Sequence, residues 1–333
     1  MNTTSNRKKE VPPPDDNGKN ENKGYLRILH LSDLHFKSAA EGTDSEIRNE
    51  YISSFLKELE KASLKKIDYL CFTGDIANQG NKKDYADVEP VFRAILKTTK
   101  VEPDHVLVCP GNHDQFVDAS VSLYPKDQKT ANQYLKIENL KNLSNSFTAF
   151  TKFCERMNFK KYEIKRGSSS YLFGVRQFAD MTVACINTAW LSVGKDGNEY
   201  KARPAWVGNA FATAVKNRIP QNSTKPVLTL LHHPYREWAE EECSSFKNST
   251  NVWKKISLFS NYILCGHTHQ INSSKEVVND ARVLNGGCLY ENSDPTYETS
   301  FYLYTIPVDK NMGLHIEKHY IHDGEWIELQ YND

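Results

Sequence analysis

Two histidines two positions apart, His267 and His269, follow directly on an apolar run in the segment NYILCGHTHQ. Imidazoles bind transition metals and move protons near neutral pH, but one such pair in a turn is more often a surface or capping feature. The pattern recurs, however. YLRILHLSDLH closes on Asp33 and His35, and IDYLCFTGD closes on Asp75. HVLVCPGNHD closes on Asn112, His113 and Asp114, and PVLTLLHHP on His232 and His233. Carboxylate, neutral imidazole and one amide oxygen form a ligand set for a divalent transition metal such as Mn, Fe or Zn, while nitrogen-rich ligation disfavours Ca and Mg. Asp33, His35, Asp75, Asn112, His232, His267 and His269 are too many donors for one ion. They suit two ions about 3.5–4 Å apart with one carboxylate between them, a pair that clamps the attacking and leaving oxygens of a displacement at phosphorus.

Each cluster ends an apolar run of the length expected for a buried parallel strand. In an α/β sheet ligands bind outside the carboxyl ends of the strands, so clusters far apart in sequence can converge. Extended residues at i and i+2 point the same way, which predicts that each of the pairs Asp33–His35 and His267–His269 faces one centre. Gly74, Gly111 and Gly266 precede donors and allow a sharp turn or close backbone approach. Helical spacing of apolar residues predicts helices over Ser45 to Leu64 and Lys82 to Lys97. Strand, helix, strand, helix, strand is a doubly wound beginning. YLFGVRQF, MTVACINTAW, ARVLNGG, FYLYTIPV and GLHIEKHYI read as further strands, so a second sheet is expected.

The chain has 333 residues, 39% of them hydrophobic, enough for a substantial core. Lys+Arg and Asp+Glu balance at 42 each, so overall charge argues for neither nucleic acid nor a membrane surface. No apolar run reaches membrane-spanning length. Residues 1–24 are polar and proline-rich, carry no secretory signal, and read as a disordered tail. Seven cysteines without a paired CxxC indicate neither a disulfide framework nor a zinc knuckle, and predict a reducing, cytoplasmic setting. His30, His105, His315, His319 and His322 fall outside the clusters and read as structural or surface residues.

The blocks DLH, GDIAN, GNHD, HHP and GHTH, in that order from about Arg27 to Gly287, resemble those of the calcineurin-like metallophosphoesterases. The resemblance implies a four-layer α/β/β/α sandwich with two mixed sheets, spanning residues 25–333, and two divalent transition-metal ions. It implies one ion on Asp33, His35, Asp75 and His269, and a second on Asp75, Asn112, His232 and His267. His233 would be structural or support the ligands. His113 would be the catalytic histidine, oriented by Asp114, and a hydroxide between the ions would attack phosphorus. GDIANQG has Asn78 and Gln79 where protein phosphatases of the superfamily carry an Asp-Arg pair that grips a monoester. The blocks therefore look more like the bacterial-type phosphodiesterase branch, with a cyclic nucleotide or other nucleotide-type diester as substrate and Asn78 as a candidate contact.

Residues 115–166 hold no donor block and read as loop followed by helix. From Tyr124 to Arg166 ten Lys and Arg stand against four Asp and Glu. This basic insert is either a solvated helical face or a guide for nucleic acid, which keeps a nuclease as the alternative function. Phe147, Phe150, Phe153 and Met157 read as its core side. Pro234 to Leu258 reads as a wall of the cleft, with Arg236 a candidate phosphate contact. A phosphomonoesterase ranks below these because GDIANQG lacks the Asp-Arg pair, and a non-catalytic scaffold because all seven donors and His113 are present.

Overall fold

The apolar runs fold as strands and the amphipathic stretches between them as helices. The computed structural model describes residues 24–38, 43–116, 124–196, 199–244, 251–269, 276–290, 298–308 and 313–332. The tail expected at 1–24 lies, but for Gly24, outside them. The chain begins with β1 (Tyr25–Leu31), α1 (Thr43–Ala62), β2 (Tyr69–Thr73), α2 (Lys82–Thr99) and β3 (Val106–Cys109). Three short helices follow, α3 (Gln128–Tyr134), α4 (Leu140–Leu143) and α5 (Thr148–Arg156). Next come β4 (Tyr162–Lys165), β5 (Ser168–Ser170), β6 (Gly174–Gln177), β7 (Thr182–Cys185) and the hairpin of β8 (Val193–Asp196) and β9 (Glu199–Ala202). Then follow α6 (Asn209–Lys216), β10 (Val227–Leu230), α7 (Glu240–Cys243), α8 (Val252–Phe259) and β11 (Tyr262–Cys265). The last strands are β12 (Glu276–Val278), β13 (Ala281–Asn285), β14 (Ser300–Pro307), β15 (His315–His322) and β16 (Glu325–Asn332).

Two mixed sheets result. One has the order β16-β15-β14-β1-β2-β3, in which β1, β2 and β3 are parallel. The other has the order β12-β13-β11-β10-β7-β6-β4-β5, in which β7, β10, β11 and β13 are parallel. Alternate residues separate two cores, as the period of two demands. Leu26, Ile28, Tyr69, Cys71 and Leu107 of the first sheet pack with Val183, Leu228, Leu230, Tyr262 and Leu264 of the second. The intervening residues, among them Leu29, Leu70, Phe72, Val108 and Ile263, join a cluster that includes helix residues such as Phe55, Val88, Phe92 and Ile256. This is the α/β/β/α layering.

Helix α2 shows how local sequence sets an element. Asn81 caps its start by accepting the Asp84 N–H, Tyr85, Val88, Phe92 and Ile95 make its buried stripe, and Lys100 ends it in a left-handed conformation. The helices of the insert bury Phe147, Phe150 and Phe153, and Phe153 packs 5.2 Å from the ring of Tyr85 and 5.1 Å from that of Phe92. The insert does not stay helical to residue 166. Asn158 turns left-handed at φ 58° after α5, and the chain enters β4. Among the described residues no helix is long and apolar enough to cross a membrane, and all seven cysteines are free.

Candidate metal centre

Because β1, β2, β3, β10 and β11 run parallel within their sheets, the loops after them gather at one end of the sandwich. Backbone hydrogen bonds lock them together: Asp33 N–H donates to Gly74 O at 3.0 Å, His35 N–H to Asp75 O at 2.9 Å, and Gly266 N–H to His232 O at 2.9 Å. His267 N–H reaches across to the Asp33 carboxylate at 3.0 Å.

The side chains form two adjoining groups. In the first, His269 Nε2 lies 3.1 Å from Asp33 Oδ1 and 3.1 Å from His35 Nε2, and His35 Nε2 lies 3.8 Å from Asp75 Oδ2. In the second, His232 Nε2 lies 3.2 Å from Asp75 Oδ2 and 3.1 Å from Asn112 Oδ1. The ring of His267 packs 5.1 Å from that of His232 and 4.3 Å from that of His233. Asp75 thus touches both groups.

The paired donors are not extended, contrary to the expectation for Asp33–His35 and His267–His269. Asp33, His35, Asp75, His267 and His269 all have positive φ, between 45° and 73°. A left-handed non-glycine residue costs roughly 1–2 kcal/mol, so this turn geometry holds only because the packing around it over-determines the backbone. Gly74, at φ +96°, has a second reason to be glycine, since a Cβ there would sit 2.5 Å from His232 Nδ1. A Cβ on Gly111 would collide with Asp75 Oδ1.

The electrostatics call for a cation. Asp33 and Asp75 are each 1% exposed, and among the described residues their recorded ion pairs are with histidines alone. Burial disfavours the charge on Asp33, yet hydrogen bonds with His269 and His35 hold it well below the usual carboxylate range. For Asp75, burial is likewise outweighed, chiefly by His232 and His113. Burial would lower His232, but the Asp75 and Asp33 carboxylates push it up to about 9. A proton on His232 can stand there in place of a metal ion. His232 Nδ1 donates to Thr73 O at 2.7 Å, which directs Nε2 toward Asp75 and Asn112, the arrangement that orients metal-ligating histidines. Burial and His232 lower His267 to about 4, keeping it neutral and able to ligate. The donor set therefore fits divalent transition-metal ions.

One role read from the sequence changes. His113 Nδ1 lies 2.8 Å from the carbonyl oxygen of Asn78, the acceptor that orients its ring. Asp114 does not orient it. The Asp114 carboxylate is wholly buried and accepts from the N–H groups of Asp75, Ile76, Ala77 and Gly111 and from the Tyr85 hydroxyl. Asn78, expected as a substrate contact, enters the site through its backbone. Arg236 lines a cavity of about 210 Å³ that also touches Asn112, His233 and His267.

Other residues carry no donor pattern. The Ser32 hydroxyl donates to Asp33 Oδ2 at 2.5 Å and Thr73 Oγ1 donates to Ser32 Oγ at 2.9 Å, bracing the carboxylate from behind. Thr188 Oγ1 holds His233, 2.8 Å from its Nδ1. Asn187 and Thr188 follow β7, a sixth parallel strand end that the rule used for the other five would have reached. Ser192 and Arg203, also on the cavity wall, carry no comparable signal.

Carboxylate, imidazole and amide donors gathered at the strand ends make a candidate metal centre, and comparison with known proteins gives the family. The family model described as calcineurin-like phosphoesterase matches residues 26–271, and the chain belongs to that family, whose members use divalent metals. It is 27% identical over 248 residues to a metallophosphoesterase-like protein of Bacillus subtilis (strain 168), YydB, covering 73% of this chain and 49% of that protein. The chain thus spans about half the length of that relative. Purple acid phosphatase PPD1 from yellow lupin seeds aligns at 12% identity and TM-score 0.48, over 92% of this chain and 53% of that one. Zinc-complexed Vps29 from Entamoeba histolytica aligns at 13% identity and TM-score 0.38, over 92% and 99%.

Proposed function

We propose that this protein hydrolyses a phosphodiester of nucleotide type with two divalent metal ions. One observation carries the reading: two groups of donors share the carboxylate of Asp75, with the catalytic candidate His113 beside it. Asp33, His35 and His269 would hold one ion and Asn112, His232 and His267 the other, with Asp75 between them. Two such ions supply Lewis acidity and lower the pKa of a water. The Asn78 carbonyl accepts the Nδ1–H of His113, which leaves Nε2 for the chemistry; in the imidazolium form the second proton, at Nε2, would pass to the leaving oxygen. The backbone N–H of His113 donates to Asp75 Oδ1 at 2.8 Å, which ties His113 to the shared carboxylate. Arg236, on the cavity lining, would meet substrate charge. The GDIAN block, without an arginine of its own, favours a diester over a monoester.

The test is hydrolysis of bis-p-nitrophenyl phosphate beside p-nitrophenyl phosphate, with Mn²⁺ and with chelator. Wild type is expected to prefer the diester and to stop with chelator, and His113→Ala to lose at least about a hundredfold in rate, the usual worth of a positioned acid. Metal analysis should show His269→Ala and His267→Ala each losing about one ion. Preference for the monoester, or both variants still holding two ions at full occupancy, would refute the assignment.

A further inference from the structure

The cavity beside the donors has a polar wall that reaches beyond the donor cluster. It is bounded by Asn112 and His267 of the cluster and by Ser192, Arg203, Arg236 and Trp238 outside it. Asp33, His35, Asp75 and His269 take no part in its lining, so it extends from the Asn112–His267 side alone. At about 210 Å³ it is smaller than the roughly 300–1,000 Å³ that a whole small ligand occupies. It has room for about seven waters at some 30 Å³ each, and so for one phosphate with part of its hydration.

Three residues with donor side chains line this space. The Arg203 guanidinium is half-buried and stacks 4.9 Å from the ring centre of Tyr124, which limits its freedom. Arg203 N–H donates to the Ser192 carbonyl at 2.9 Å, tying the two residues side by side. Arg236 adds a second guanidinium, against the single carboxylate of Glu237 on the lining. The Ser192 hydroxyl is buried, in a residue 1% exposed, and among the described residues it has no hydrogen-bond partner. A buried donor left unsatisfied costs about 1–3 kcal/mol and calls for an acceptor. Guanidinium forks match phosphate oxygens, and three donors suit three terminal oxygens better than the two of a carboxylate.

We propose that this cavity holds a second, unhydrolysed phosphate of the substrate, with Arg203 and Arg236 as its charge partners and the Ser192 hydroxyl as third donor. The assignment rests on the diesterase reading of the adjoining centre and narrows it to substrates carrying an extra phosphate, such as nucleotides with a terminal phosphomonoester.

Thymidine 5′-(p-nitrophenyl phosphate) and its 3′-phosphorylated form share the scissile diester and the leaving group and differ by one phosphate. With the metal-loaded full chain, kcat/KM for the 3′-phosphorylated ester is expected to be at least about tenfold higher, mostly through KM. That ratio should collapse toward one in Arg203→Gln, fall in Ser192→Ala, and stand between in Arg203→Lys. Calorimetric affinities for thymidine 3′,5′-bisphosphate and thymidine 5′-phosphate should give the same preference without turnover. A ratio near one in wild type, or a ratio untouched by Arg203→Gln and Arg236→Gln, overturns the proposal. So does an Arg203→Gln that slows both esters by the same factor, since the arginine would then serve the attacked phosphate. A binding preference without hydrolysis of any ester keeps this subsite and removes the diesterase reading, and hydrolysis without the preference does the reverse.

Discussion

Asp114 lies next to the catalytic candidate in sequence and does a different job. Its buried carboxylate gathers N–H groups from the loop after β2 and the loop after β3, together with the Tyr85 hydroxyl from α2. Burial and the nearby charge of Asp75 push its pKa up to about 6, while hydrogen bonds from Gly111, Tyr85 and Ala77 oppose the rise. Removing this acceptor strands several buried donors at about 1–3 kcal/mol each. Asp114→Ala is therefore expected to lose at least about 3 kcal/mol in urea unfolding and to bind less than its full metal complement. His113→Ala should keep both stability and metal. If Asp114→Ala unfolded like wild type and were merely slow, Asp114 would be orienting His113 after all.

At the scale of an element, the insert divides into an inner and an outer face with separate consequences. Phe153 of α5 is fully buried and packs on Tyr85, Phe92 and Phe159. Phe153→Ala should cost about 3–5 kcal/mol in equilibrium unfolding, because the cavity left against α2 cannot collapse fully. Lys141 and Lys152 are exposed and do not line the cavity at the centre. The double change Lys141→Glu with Lys152→Glu should leave stability and diester hydrolysis within about twofold of wild type, as exposed positions without partners generally do. A steep drop in cleavage of single-stranded nucleic acid by that double variant would point instead to a nuclease with the insert as its guide. The Arg156–Glu89 pair at 2.7 Å fixes the end of α5 to α2 and spends one of the insert's positive charges on packing.

For the whole molecule, the donor cluster is a seam between two sheets. Buried Asp33 and Asp75 concentrate negative charge where loops of both sheets meet, and an ion held there would bind the native chain but not the unfolded one. At one hundred times Kd such an ion stabilises by about 2.7 kcal/mol. Chelator-treated protein should therefore melt several degrees lower than protein given Mn²⁺ or Zn²⁺, and the difference should shrink in His232→Ala. Equal melting temperatures with and without metal would show that the seam holds by packing alone.

The amino-acid sequence by itself determined which residues end the buried strands, and so the identity of the donors, because apolar runs, glycines and donor types are local properties. It also marked helix α2 with its stripe and the buried face of the insert. The final strand β16, EWIELQYN, escaped it, since the strand is largely exposed and its pattern carries little apolar signal. The left-handed backbone of five donors was hidden as well, because every one is an Asp or His that also suits an ordinary turn. The grouping of His269 with Asp33 and of His267 with His232 was already implied by the resemblance; only the tertiary structure decided that the Asn78 carbonyl holds His113 and that Asp114 ties the loops. It alone brought Ser192 and Arg203 to Asn112. Each of these depends on how the strand ends of one sheet stand against those of the other, a distance that no stretch of neighbouring residues encodes.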